Sequence, residues 1–190
     1  MINRIAFFNR LTSNQLYQKT LTQHVEGMNA ILDEWESRPE LYLDKRWLAY
    51  MLATAYHETA KEMTPVEEKG KGQGRAYGGK MKQNKTPYET PDHIYYGRGH
   101  VQLTWFENYE KFGKILGVDL LNNPALALDM KTSIKIMFAG MTKGYFTGVN
   151  LARYFNAERE DWINARKIIN GTDKADLIAL YGQRFYECVK

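Results

Sequence analysis

Residues 44–59, DKRWLAYMLATAYHET, constrain the fold more than any other stretch. Asp44 is a good helix N-cap, and Trp47, Leu48, Tyr50, Met51, Leu52, Ala55 and Tyr56 cover most of the helix circumference. A helix apolar nearly all round is a buried helix, so the rest of the chain must wrap it. Its last turn carries His57 and Glu58, and Pro65 then blocks simple continuation. Burial and the negative helix end both disfavour the Glu58 anion, so its pKa is expected to rise. That suits an acid which holds a proton at neutral pH and delivers it to a leaving group. A second acid, Glu67 with Glu68 behind it, follows in a polar stretch rich in glycine and lysine, where ionisation is favoured. Opposed environments of this kind assign acid and base roles. The plainer reading stands beside it: a glutamate at a helix end commonly serves structure, and Glu-Glu beside lysines is commonly a solvated face.

Two other chemistries are excluded. An HExxH zinc motif needs a second histidine at position 61, which is Lys61. A phosphate-binding loop fails because Gly79-Lys80 is followed by Met81, where Ser or Thr would hold magnesium.

With 190 residues the chain has ample length for one domain and a real core. The single cysteine, Cys188, rules out an internal disulfide framework. No apolar run approaches a membrane span, and MINRIAFFNRLTSNQ has too short an apolar core for a signal peptide. The chain is therefore expected to be made in a cytoplasm and, unaided, to stay there. A formal charge of +4 suits a polyanionic partner. The 13 Tyr and 4 Trp suit either sugar stacking or ordinary packing.

Along the chain, Met1–Leu11 reads as a strand-like or short helical lead-in. Thr12–Gln15 reads as a capping box opening a helix to about His24. Val25, Met28, Ile31, Leu32 and Trp35 share one face of a second helix that ends before Pro39. From Ala60 to Tyr95 periodicity disappears, and five glycines (Gly70, Gly72, Gly74, Gly78, Gly79) sit among basic residues. A loop this long in a compact domain is functional or disordered, and here it reads as one wall or lid of a cleft. In YYGRGHVQLTWFENY, Gly97-Arg98-Gly99 reads as a tight turn, Val101–Thr104 as extended, and a helix runs from near Trp105 to Leu116. Asp129 caps a helix Met130–Lys143, and Asn150 caps a short helix Leu151–Phe155. Trp162, Ala165, Ile168 and Ile169 form a helix stripe that stops at Asn170-Gly171. Asp173 caps the last helix, to about Val189. The expectation is a single domain, residues 1–190, mainly α with minor β content around a substrate cleft.

HET at 57–59, YYGRGHVQLTW, GYFTGVNLARYF at 144–155 and NARKIINGT at 164–172 together resemble the family 19 glycoside hydrolases, the plant-type chitinases and their bacteriophage endolysin relatives. The likeness extends from Leu48 to Tyr186 and implies a lysozyme-like α+β fold. It implies Glu58 as general acid and Glu67, at the short phage-type spacing, as general base, with Glu68 adjoining. It implies that Thr104 holds the attacking water, that Gln102, Asn108 and Asn170 contact sugar, and that Tyr96 and Arg98 orient the cleft. The sequence departs from the family at three points. HETGG has become His57-Glu58-Thr59-Ala60-Lys61, a common proline is His100, and the arginine that pairs near the acid is off its usual offset, with Arg184 the nearest candidate.

The resemblance implies an inverting hydrolase of β-1,4-linked N-acetylhexosamine polymers, needing neither metal nor organic cofactor. Charge, missing disulfides and short spacing favour peptidoglycan glycan strands over chitin. They suggest a monomeric endolysin that gathers in the bacterial host cytoplasm and reaches the cell wall once the membrane is permeabilised, without inserting stably into it. A non-catalytic wall-binding homologue is a further alternative. A nucleic-acid partner is not expected: the basic loop and tyrosines fit one, but the acids would have no role.

Overall fold

A computed structural model describes residues 1–39 and 44–190. The helices are α1 (Arg4–Ser13), α2 (Thr22–Glu36), α3 (Lys45–Glu58), α4 (Phe106–Leu116), α5 (Met130–Lys143) and α6 (Ala175–Val189). Two short strands, β1 (Val66–Glu67) and β2 (Arg98–Gly99), pair antiparallel with Glu67 opposite Arg98. The fold is helix-rich with a small sheet, as expected. None of these helices is long and apolar enough to cross a membrane. Two compact units are distinguishable: Met1–Met63 with Met137–Lys190, and Thr64–Ile136.

In the first unit α3 is the core element. Asp44 caps it as predicted, its carboxylate accepting from the Arg46 N–H at 2.9 Å, and every residue from Leu48 to Tyr56 is buried. Burying a leucine or methionine of this kind contributes roughly 1.5–3 kcal/mol each. α6 packs along α3, where Tyr56 meets Tyr181 and Phe185 edge-on. Gly182 is the close-approach point: a Cβ there would stand 2.7 Å from the Trp162 ring. Tyr50, Phe155 and Trp162 fill the adjoining space.

The predicted helix from Thr12 does not form. Thr12 lies near the end of α1, and the chain reverses at Gln15 with φ 57°. The next helix starts at Thr22, where the Leu21 N–H donates to His24 Nδ1 at 3.1 Å. A Thr-to-Gln spacing is a weak signal when a helix is already running through it. The stripe at 162–169 is a 3-10 turn, Asn164–Ile168, rather than a longer helix. Gly171 adopts the predicted positive φ, 49°. Lys174, at φ 56°, is the N-cap of α6 in place of Asp173.

The second unit is built on Tyr95, Tyr109 and Phe112, all fully buried, with the Tyr95 hydroxyl donating to the Leu121 carbonyl at 2.9 Å. Here the predicted turn and strand exchange places. Arg98-Gly99 is the strand, and the turn is His100–Gln102, closed by two backbone bonds between Arg98 and Leu103 at 3.2 and 2.8 Å. Gly99 has φ 88°, and a Cβ would press to 2.6 Å on Ser133 Oγ. His100, where the family pattern carries proline, is fully buried; its backbone N–H donates to Ser133 Oγ at 2.8 Å. A proline has no N–H to make that bond.

The 60–95 stretch is not featureless. It contains β1, a 3-10 turn at Ala76–Gly79 and a tight reversal in which Lys82 donates to the Thr86 carbonyl at 2.9 Å. Several of its lysines have internal partners: Lys71 lies on Glu67, Lys80 on Asp92, and Lys82 over the Phe106 ring.

Candidate active site

Glu58 is the last residue of α3, in the first unit. Its side chain is 16% exposed, and Arg166 Nη1 donates to its Oε1 at 2.7 Å. Arg166 is buried and is held from behind, its Nε donating to the Asp173 carbonyl at 2.9 Å. The sequence does not foretell this guanidinium beside Glu58. It is Arg166, not Arg184, that meets the acid. Arg184 instead reaches Gln15, at 3.3 Å to both its backbone and side-chain oxygens. Arg166 lies inside NARKIINGT, so the signal was in a recognised motif, but the motif does not say which distant residue its arginine meets. His57 beside the acid has its pKa lowered, chiefly by burial.

Glu67 is in the second unit, at the end of β1. Three groups surround its carboxylate. The Tyr96 hydroxyl donates to Oε1 at 2.6 Å, Lys71 Nζ lies 3.3 Å from Oε2, and Arg98 Nε lies 4.0 Å from Oε1. The Tyr96 hydrogen bond first, then Lys71 and Arg98, hold the Glu67 carboxyl below the usual carboxylate range. The ionised environment expected from the sequence is present, through a tyrosine as well as lysine.

Glu68 serves a different purpose. The Tyr77 hydroxyl donates to its Oε1 at 2.8 Å and the Gly97 N–H to its Oε2 at 2.9 Å. Its own N–H donates to the Gly97 carbonyl at 2.8 Å. The two acids, inseparable in sequence, are thus separated by partners: Glu68 ties the 3-10 turn to the strand pair, while Glu67 is exposed. Burial, and then the bond to Glu68, push the Tyr77 phenol up to about 12.

Tyr96 and Arg98 are both buried and support Glu67 from beneath. The Arg98 guanidinium carbon lies 3.5 Å from the centre of the Tyr96 ring, a close cation–π contact. Arg98 Nη1 donates to the Tyr109 hydroxyl at 2.9 Å, and that hydroxyl donates to the Tyr96 carbonyl at 2.8 Å. These two residues fix the Glu67 carboxylate in place. Burial pushes the Tyr109 phenol well above its ordinary range.

The remaining expected site residues are arranged as follows. Gln102, at φ 52°, donates its side-chain amide to the Val66 and Gly99 carbonyls at 3.0 and 3.2 Å, so it laces β1 to the turn. Thr104 Oγ1 donates to the Gln102 carbonyl at 2.8 Å, and Asn108 Nδ2 donates to the Thr104 carbonyl at 2.8 Å. Both are half-buried in the second unit, with Gln102 one link behind them. Asn170 is exposed in the first unit, and its backbone N–H donates to the Arg166 carbonyl at 3.1 Å. The structure thus brings Glu67, Tyr96 and Arg98 together, and links Gln102, Thr104 and Asn108 in one chain of bonds. Among the described residues no cluster of His, Cys, Asp and Glu could hold a metal ion.

Residues 41–144 match the class I chitinase family of glycoside hydrolases. The chain belongs to that family, glycoside hydrolase family 19. Acidic endochitinase SP2 of Beta vulgaris is 32% identical over 135 residues, 65% of this chain and 46% of that protein. Inactive chitinase-like protein 1 of Hevea brasiliensis is 54% identical over 46 residues, 24% of this chain and 15% of that protein. The chain spans less than half the length of these relatives. A solved bacterial family 19 chitinase superposes with a TM-score of 0.63 at 21% identity, over 99% of this chain and 94% of that one. At that identity the likeness is one of fold, and it agrees with the lysozyme-like α+β architecture expected from the motifs.

Proposed function

We propose that this chain hydrolyses β-1,4 bonds of N-acetylhexosamine polymers with inversion, Glu58 acting as acid and Glu67 as base. The observation that carries the reading is the setting of Glu67, an exposed carboxylate held ionised by the Tyr96 hydroxyl at 2.6 Å. In the proposed reaction Glu67 takes a proton from water as the water oxygen bonds to the anomeric carbon. The glycosidic C–O bond breaks, and its oxygen takes the proton of Glu58. Inversion requires the two carboxyls roughly 6.5–9.5 Å apart, to leave room for the water. Thr104 is assigned to the water, and Asn108, Gln102 and Asn170 to the sugar, on the strength of the family motifs.

The substrate we favour is peptidoglycan. Support comes from the net charge of +4 and the lysines that follow Glu67. The corresponding role is lysis of a bacterial host, the protein acting on the wall after the membrane has been permeabilised. A second reading, chitin hydrolysis, is favoured by the relatives, which are named as endochitinases. The discriminating experiment is turbidity loss of outer-membrane-permeabilised Gram-negative cells, with mass analysis of the released fragments, run beside sugar release from chitin. Wall fragments cut between sugars support the first reading, and sugar release from chitin alone supports the second. Binding to either polymer without cleavage would mean a non-catalytic homologue and sink both.

A further inference from the structure

The two oxygens of Glu67 are held in unlike ways. Oε1 accepts from the Tyr96 hydroxyl at 2.6 Å and has Arg98 Nε at 4.0 Å. Both of those side chains are buried, with Arg98 packed on the Tyr96 ring and bonded to the Tyr109 hydroxyl, so Oε1 is held from the buried side. Oε2 faces Lys71 Nζ at 3.3 Å, and that lysine is 63% exposed on a long stem, its ammonium 5.9 Å from the centre of the Tyr96 ring. Its backbone is anchored: the Lys71 N–H donates to the Glu68 carbonyl at 3.1 Å, at φ 48°. The ammonium can therefore swing while its Cα stays beside the base. Exposed ion pairs are weakly held and compete with other charges.

On the reading that Glu67 is the base, we infer that Lys71 is a specificity-determining residue: its ammonium caps the Glu67 oxygen that Tyr96 leaves open, and a carboxylate on the substrate draws it away. Oε1 already carries the Tyr96 bond, which weakens if that oxygen is protonated, so Oε2 is the favoured acceptor and departure of Lys71 frees it. A neutral glycan offers the ammonium no better partner than Glu67. A glycan carrying acidic side groups does, and the same carboxylate then anchors the polymer beside the base. Removal of the cation also makes Glu67 a stronger base, because Lys71 is one of the three groups, with Tyr96 and Arg98, that hold its pKa down. Peptidoglycan bears lactyl and peptide carboxylates, and chitin bears none. The lysine thus couples the charge of the substrate to the strength of the base.

The test uses one polymer in two charge states: soluble peptidoglycan strands, and the same strands with their carboxylates converted to amides. Wild type is compared with Lys71→Met, Lys71→Arg and, as a control for general surface charge, Lys85→Met. The wild type is expected to prefer the acidic polymer by about fivefold or more in kcat/KM, the lower end of measured coupling between sites. Lys71→Met should lose that preference, cut the amidated polymer faster than wild type does, and show its acid limb of kcat against pH at higher pH. Lys71→Arg and Lys85→Met should keep the preference. A preference retained in Lys71→Met, or lost equally in Lys85→Met, would overturn the inference and leave the acid–base assignment standing. A wild type that cuts both polymers equally would do the same. A wild type that cuts neither these strands nor chitin would overturn the proposed function, and this inference with it.

Discussion

Arg166 and Glu58 are 108 residues apart in sequence and 2.7 Å apart in space, the guanidinium 3% and the carboxylate 16% exposed. The pair fixes the end of the core helix α3 to the turn Asn164–Ile168. Removing one partner of such a pair leaves a buried charge uncompensated, which costs about 3–5 kcal/mol. Arg166→Leu is therefore expected to lower the unfolding free energy, read from urea curves, by an amount near the bottom of that range, since Glu58 keeps some contact with water and can take up a proton. An unchanged midpoint would mean that the pair contributes nothing to the fold.

Glu67 and Glu68 should separate cleanly on substitution. Glu67→Gln is expected to lower the rate by about 10²–10⁴-fold, the usual contribution of general acid–base catalysis, with only a small loss of stability because its ion pairs are exposed. Glu68→Gln should do the reverse: activity near wild type, but stability reduced by roughly 1–3 kcal/mol for weakened charge-assisted hydrogen bonds. Its two oxygens hold Tyr77 and the Gly97 N–H, and an amide can accept only one of these bonds. Rate assays and denaturant curves on both proteins decide the matter, and a severe loss of rate confined to Glu68→Gln would reverse the roles.

The chain after the acid carries residues in a conformation that suits glycine. Ala60 has φ 51° and Lys61 φ 78°, where the family pattern has Gly-Gly. A left-handed non-glycine residue costs about 1–2 kcal/mol, while glycine gives back roughly 0.5–1 kcal/mol through the unfolded chain. Ala60→Gly is expected to stabilise by about 0.5 kcal/mol, and Lys61→Gly by less, because Lys61 also lies over the Tyr56 ring. Thermal unfolding checks the direction, and destabilisation by Ala60→Gly would contradict the strain argument.

The pH dependence follows from Glu67. Its folded pKa is depressed, so its contribution to stability is present above the unfolded value and is lost as pH falls through the folded one. The acid limb of kcat should accordingly lie below the ordinary glutamate range. Tyr96→Phe removes the largest cause of the depression and should move that limb to higher pH. A limb that does not move in Tyr96→Phe would mean that the hydroxyl does not tune the base.

Much of the fold was legible because local signals agreed with burial. The apolar circumference of residues 44–59 and the cap at Asp44 gave α3, and the cap at Asp129 gave α5 at its observed bounds. The strand pair was hidden, because two residues are too few to show an alternating pattern. Glu67 and Glu68 could not be told apart, because their partners, Tyr96 and Tyr77, are set by the course of the glycine-rich stretch rather than by spacing. Gln102 read as a sugar contact, yet its amide holds backbone carbonyls, a use that only the turn at His100–Gln102 reveals. The partner of Glu58 was out of reach, since a contact across 108 residues leaves no periodic trace.

If Glu58 and Glu67 act as acid and base in an inverting hydrolysis, the first sugar released has inverted configuration at its reducing end. Time-resolved proton NMR of the first reducing ends released from soluble peptidoglycan strands and from N-acetylglucosamine oligomers tests it most directly. The α-anomer is expected to appear first with the wild-type protein, on at least one of the two substrates. No detectable release is expected from folded Glu58→Gln or Glu67→Gln over the same interval. Early β-anomer, or release at the wild-type rate by either variant, would contradict the acid–base assignment.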